Sequence, residues 1–135
     1  MPEFAFELLT PYRRLFSGKA TSIAFATADG EIEILAGHEP LVAPLRVGAL
    51  RIRGPGLDRI AAVTEGFARI RQGKVEIFAD AAEWPEEIDR ERAERALGRA
   101  EKRLAEDPQP WLRASSELAA ERARNRMRIA GQGRL

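Results

Sequence analysis

Val75-Glu76-Ile77-Phe78-Ala79-Asp80-Ala81-Ala82-Glu83-Trp84-Pro85-Glu86-Glu87-Ile88-Asp89-Arg90-Glu91-Arg92-Ala93 is the stretch in which the chain changes structural language. Up to Ala79 the apolar side chains Val75, Ile77 and Ala79 recur every second residue, the spacing of a half-buried strand. Beyond Trp84-Pro85 the composition turns to Ala, Arg and Glu at helical spacing, with no glycine between Gly98 and Gly131. Upstream, Phe4, Phe6 and Leu8 alternate as Val75 to Ala79 do, and so do Ile23 and Phe25, Ile32 and Ile34, and Leu50 and Ile52. Breaks are expected at Ser17-Gly18, Asp29-Gly30, Gly37 to Pro40, Gly54-Pro55-Gly56 and Gln72-Gly73, where Gly supplies positive φ and Pro removes a ladder donor. The chain therefore reads as α+β. An antiparallel β-sandwich or flattened barrel over residues 1–84 is followed by an antiparallel two-helix hairpin over residues 85–135.

Asp89 is placed to cap the first helix, with Glu91 in the first turn beside the positive end of the helix dipole. The helix is expected to run to about Leu104 with an alanine-rich stripe of Ala93, Ala96, Leu97, Ala100 and Leu104. Glu106-Asp107-Pro108-Gln109-Pro110 ends it. The second helix, from about Trp111 to Ala130, offers Leu112, Ala119, Ala123, Met127 and Ala130 on one stripe and Trp111, Ala114 and Leu118 near another. Leu97, Leu104, Leu112, Leu118 and Met127 would contribute ~1.5 to 3 kcal/mol each if fully buried. Ordering about 40 residues costs ~1 to 2 kcal/mol each. Such a hairpin is marginal alone and depends on docking.

The chain has 135 residues, room for one sizeable core. With no cysteine it has neither a disulfide framework nor a thiolate metal site, which fits a reducing compartment. Glu3 and Glu7 interrupt the first apolar run and Arg13-Arg14 follow it, unlike a signal peptide or membrane span, so a soluble protein is expected. The net charge of +1 hides a division: residues 1–82 are balanced, residues 83–110 carry −3 and residues 111–135 carry +4. The last helix is thus a cationic rod, with Arg122 and Arg126 on one face and Arg124 and Arg128 on another. An acidic protein surface or an anionic ligand suits it.

Catalytic chemistry is thinly provided. The single histidine, His38, lies in the turn Gly37-His38-Glu39-Pro40 with no serine near it in sequence, and reads as an exposed turn residue. Ser17-Gly18-Lys19-Ala20-Thr21 lacks the upstream glycine of a phosphate loop and reads as a hairpin turn. Glu86, Glu87 and Asp89 read as dipole-complementary caps rather than metal ligands, so no metal is expected. A nucleic-acid-binding β module with a basic tail is an open alternative, although the tail lacks interleaved aromatics.

The run Gly30-Glu31-Ile32-Glu33-Ile34-Leu35-Ala36-Gly37-His38-Glu39-Pro40-Leu41 resembles the epsilon-subunit family of rotary F-type ATP synthases, in which a Gly-Glu turn leads into Gly-His-x-Pro. Leu45 to Ile52, Gly66-Phe67, Val75 to Glu83, and Ile88-Asp89-Arg90-Glu91-Arg92-Ala93, the last resembling an Ile/Leu-Asp-x-x-Arg-Ala helix opening, follow in the family's order. The resemblance spans essentially the whole chain. It implies a non-catalytic rotor subunit whose sandwich binds the gamma subunit and rests on the c ring, with Gly30, Glu31 and His38 facing that ring. It implies helices that fold against the sandwich or extend into the catalytic hexamer to inhibit ATP hydrolysis. There Arg122, Arg124, Arg126 and Arg128 would meet an acidic loop of the beta subunit. It implies no required cofactor, but ATP as a regulatory ligand at Glu83, Ile88, Asp89, Arg92, Ala93, Arg122 and Arg126. It also implies a peripheral position on the cytoplasmic face of a bacterial inner membrane, with membrane contact only through the complex and no nucleic acid. Glu33 and Ala36 depart from the Gly and Pro common in the family, and Pro108 and Pro110 stiffen the interhelix turn. A purely structural stalk subunit with a permanently folded hairpin is the rival within the same class.

Overall fold

The computed structural model describes residues 2–106 and 109–132, so Pro108 of the expected stiff turn lies outside the described residues. Ten strands come first: β1 (Phe4–Leu9), β2 (Arg14–Ala20), β3 (Ser22–Thr27), β4 (Gly30–Leu35), β5 (Leu41–Leu45), β6 (Gly48–Gly54), β7 (Leu57–Val63), β8 (Gly66–Arg71), β9 (Lys74–Ala79) and β10 (Ala82–Glu83). A single 3-10 turn, Pro85–Glu87, leads into α1 (Arg90–Glu106) and α2 (Pro110–Ile129). The strands form two five-stranded sheets, β2-β1-β9-β8-β5 and β10-β7-β6-β3-β4. Pairing is antiparallel except between β1 and β9, which run parallel.

Alternation decides which side of each strand is dry. Phe6, Leu8, Ile23, Phe25, Ile34, Leu50, Ile52, Val63 and Ile77 point between the sheets and are fully buried. At ~1.5 to 3 kcal/mol for each large side chain, this is the dominant favourable term of the fold. The glycine turns fall where expected at Gly30, Gly37, Gly56 and Gly73, all with positive φ.

Ser17-Gly18 is the exception, because β2 runs straight through it. Gly18 pairs with Phe6, and a methyl group there would lie 3.4 Å from the Phe16 ring, which itself packs on Phe6 with centroids 5.6 Å apart. The neighbouring aromatic ring compensates for the missing side chain, so this glycine serves packing rather than a turn.

The helices differ from expectation mainly in which faces they bury. On α1, Ala93 and Ala100 are buried as the stripe required. On α2 the buried residues are Ser116, Ala120, Ala123, Asn125 and Ile129, whereas Leu112 is 43% and Trp111 68% exposed. Two different neighbours claim α2. Small residues let it approach α1 closely, while Asn125 and Ile129 face the sandwich. A single-stripe reading averages over these two faces.

Candidate functional site

A cleft of about 480 Å³ opens where β10, the 3-10 turn, α1 and α2 meet. It is lined by four arginines (Arg92, Arg99, Arg122, Arg126) and three carboxylates (Glu83, Glu87, Asp89), with a floor of Ala81, Ala93, Ala96, Ala119 and Ala123. Helical spacing explains the set. Residues 92, 96 and 99 share one face of α1, and residues 119, 122, 123 and 126 share the facing side of α2. Alanines keep the helices close and leave the space above them to the long cationic side chains.

Each charged group has a definite environment. Asp89 caps α1, its Oδ1 accepting from the Arg92 amide at 3.0 Å. Arg126 donates through Nε to Glu83 Oε1 at 2.5 Å. Arg122 donates from Nε and Nη2 to the two oxygens of Glu65, on the loop after β7. Among the described residues Arg92 and Arg99 have no carboxylate partner, so they are the cleft's uncompensated cations. Glu87 accepts from both Nη atoms of Arg13, at 2.7 and 2.9 Å. These bonds, ahead of the opposing burial cost, hold its carboxyl below the usual range, and the same pairing raises the Arg13 guanidinium.

The tertiary structure thus collects six of the seven residues expected around a nucleotide, Glu83, Asp89, Arg92, Ala93, Arg122 and Arg126, on one cleft wall or another. Ile88 does not line it. It is buried with Ala62 and Ile129, where α2 meets the sandwich. Sequence reasoning missed Arg99, Glu87, Glu65 and Asn125. Arg99 was legible in principle, seven residues after Arg92 and on the same face with Ala96 between them. Glu65 and Asn125 were not, because their partners lie 57 and 77 residues away.

A family model for the beta-sandwich domain of the ATP synthase delta/epsilon chain matches residues 3–85, and one for its long alpha-helix domain matches residues 86–131. The chain belongs to the ATP synthase delta/epsilon chain family. The ATP synthase epsilon chain of Caldicellulosiruptor saccharolyticus is 46% identical over 134 residues, covering 99% of this chain and 98% of that one. That of Halalkalibacterium halodurans is 41% identical over 133 residues, with 98% and 100% coverage. Among solved structures, a chain of the Euglena gracilis mitochondrial ATP synthase (OSCP/F1/c-ring, rotational state 1) superposes with a TM-score of 0.79 at 28% identity, covering 91% of this chain and 78% of that one. A chain of the Tetrahymena thermophila mitochondrial ATP synthase central stalk and c ring has the same fold, with a TM-score of 0.62 at 16% identity and coverage of 93% and 95%. As an epsilon-type chain this is a non-catalytic subunit of the synthase.

The other expected epsilon contacts are spread out. Gly30 and Glu31 begin β4, at the end of the sandwich that also carries Arg46 to Gly48, Thr64-Glu65 and the base of the helices. His38 lies past the other end of β4, exposed, its Nδ1 2.8 Å from the Glu39 carbonyl. About six residues of extended chain, roughly 20 Å, separate the two. One flat partner touches both only by lying along β4, a free sheet edge. The cationic rod is also divided, because Arg122 and Arg126 pair with sandwich carboxylates whereas Arg124 and Arg128 are exposed. Among the described residues no helix is long and apolar enough to cross a membrane, and no group of His, Asp and Glu side chains could hold a metal ion.

Proposed function

We propose that this chain is a rotor subunit that joins gamma to the c ring during ATP synthesis and restrains ATP hydrolysis through its C-terminal helices. ATP in the α1/α2 cleft favours the docked state. The observation that carries the reading is the cleft, in which, among the described residues, Arg92 and Arg99 have no carboxylate partner, Arg122 pairs with Glu65 and Arg126 with Glu83. A polyanion bridging both helices stabilises them against the sandwich by its differential affinity for that state. Once undocked, Arg122 and Arg126 are freed on one face of α2 and, with Arg124 and Arg128 on another, make the helix cationic on both sides for an acidic loop of the beta subunit.

Docking is shallow enough to be reversed. Apart from ion pairs, α2 is anchored to the sandwich by Ile129 against Ala62 and Ile88, and by the Asn125 amide donating to the Gly48 carbonyl at 2.9 Å and the Val63 carbonyl at 3.4 Å. One buried isoleucine contributes about 1.5 to 3 kcal/mol and the buried Asn125 hydrogen bonds about 1 kcal/mol each, a few kcal/mol together. An affinity for gamma is supported by the uncovered face of the first sheet. There Leu9, Phe78, Phe67 and Pro44 form one cross-strand row, with the two phenyl rings stacked 4.8 Å apart and Val42 and Tyr12 exposed nearby. A c-ring contact is assigned to Gly30 and Glu31, with His38 included only if the ring lies along the β4 edge. Such a rotor subunit sits peripherally at the cytoplasmic face of the bacterial inner membrane.

The test pairs two measurements. Calorimetric titration with ATP and Mg-ATP should give saturable binding that Arg92→Ala abolishes. Deleting residues 89–135 from the subunit in the assembled synthase should speed hydrolysis. Unchanged hydrolysis would leave a structural stalk subunit with a permanently folded hairpin, and no binding at millimolar nucleotide would remove ATP from the scheme.

A further inference from the structure

Residues 82–87 stand between the sandwich and the helices in the chain, yet, the Glu83–Arg126 pair apart, they are fastened to the sandwich. Ala82 and Glu83 pair with Val63 and Ala62 of β7. Trp84 is 8% exposed and belongs to the sandwich core, with the Arg59 guanidinium 3.5 Å above its ring. Its amide donates to Glu87 Oε1 at 2.9 Å, and its carbonyl accepts from the Glu87 amide at 3.0 Å. Arg13 then closes the arrangement, reaching Glu87 with both Nη atoms and the Ala82 carbonyl with Nη2 at 3.1 Å. Arg13 is itself set by the β1–β2 turn, where Thr10 Oγ1 accepts from its amide at 3.1 Å and its carbonyl accepts from the Thr10 amide at 2.9 Å.

The contacts of the helices are of another kind. Beyond Asp89 they reach the sandwich through Asn125, Ile129 and the ion pairs of Glu121, Arg122 and Arg126. None of these contacts is made to Trp84 itself. Between the 3-10 turn and α1 stand only Ile88, whose backbone is extended, and Asp89.

We propose that Arg13 and Glu87 form a clamp that keeps residues 82–87 part of the sandwich when the helices undock, so that the helices turn about Ile88 and Asp89 alone. The proposal deepens, and rests on, the reading that the helices leave the sandwich. A short pivot confines their exit to a narrow arc. The clamp also keeps Glu87, which lines the cleft, neutralised by Arg13, so that it does not repel an anion there. Arg13 is therefore a positioning residue that lies outside the cleft it serves.

The chain has two tryptophans, so Trp111→Phe leaves Trp84 as the sole fluorescent reporter inside the clamp. In that full-length background, Asn125→Ala with Ile129→Asp undocks α2, because an unpaired carboxylate in the Ala62/Ile88 cluster is not tolerated. Hydrogen exchange should quicken along α2 while acrylamide quenching of Trp84 stays at its docked value. Adding Arg13→Gln should then raise quenching severalfold and speed exchange of the Trp84 and Glu87 amides about tenfold. Trp84 becoming quenchable as soon as α2 is released would overturn the clamp, as would its staying shielded after Arg13→Gln. Continued protection of α2 in the 125/129 variant would instead show that the helices do not undock, and would overturn the parent reading together with any need for a clamp.

Discussion

Arg126 on α2 and Glu83 on β10 meet at 2.5 Å across the wall of the cleft, so one ion pair both docks the helix and occupies a cation that a phosphate would use. The two roles oppose each other. Glu83→Gln should weaken docking, seen as faster exchange along α2, and yet tighten ATP binding per docked molecule by releasing Arg126. Arg126→Ala should weaken both. Calorimetry and hydrogen exchange on the two variants separate these effects, and equal losses of ATP affinity would show that the pair does not compete with the ligand.

Asn125 is the buried polar anchor of α2, donating to Gly48 and accepting from Arg128 Nη2 at 2.7 Å. Asn125→Leu leaves a buried carbonyl without that donor and should cost about 1 to 3 kcal/mol of docking free energy. Hydrogen exchange is the measurement. Amides of α2 should lose protection while those of β6 and β9 keep theirs, because no residue of α1 or α2 belongs to the sandwich core.

Gly66 is required by backbone proximity. A Cβ built there lies 1.9 Å from the Phe78 carbonyl oxygen and 2.9 Å from the Ala79 Cα, on the neighbouring strand. Backbone cannot swing aside as a side chain does, so Gly66→Ala should destabilise the sandwich by about 2 kcal/mol or more in urea unfolding. Gly18→Ala meets only the Phe16 ring at 3.4 Å or beyond and should fall well below that.

Acid should release the Arg13–Glu87 pair. The Glu87 carboxyl is depressed from its usual 4.5, chiefly by hydrogen bonds from Arg13. A carboxyl depressed in the folded state adds stability that is fully present above its unfolded pKa and is lost as pH falls through its folded one. The stability difference between the wild type and Glu87→Gln should therefore be constant near neutrality, begin to shrink below about pH 4.5 and vanish at lower pH. Denaturant titrations across that range measure it. A difference independent of pH would mean that Glu87 acts only through its shape.

The layout is legible in the order of residues: a sandwich core from Phe6, Leu8, Ile23, Phe25 and Ile77, a change to helix after Trp84-Pro85, and a cap at Asp89. These features are local. Strand alternation, turn glycines and capping act over a few residues, so their signal lies in neighbouring positions. Tertiary structure alone decided that Arg122 and Arg126 are spent on Glu65 and Glu83, that Asn125 and Ile129 hold α2, and that Arg13 grips Glu87 from 74 residues away. It also decided that Gly18 fills out an aromatic contact instead of turning the chain. Pairings of that kind depend on how the sheets and helices pack in space, and charge pattern along a chain carries no record of which distant carboxylate an arginine will meet.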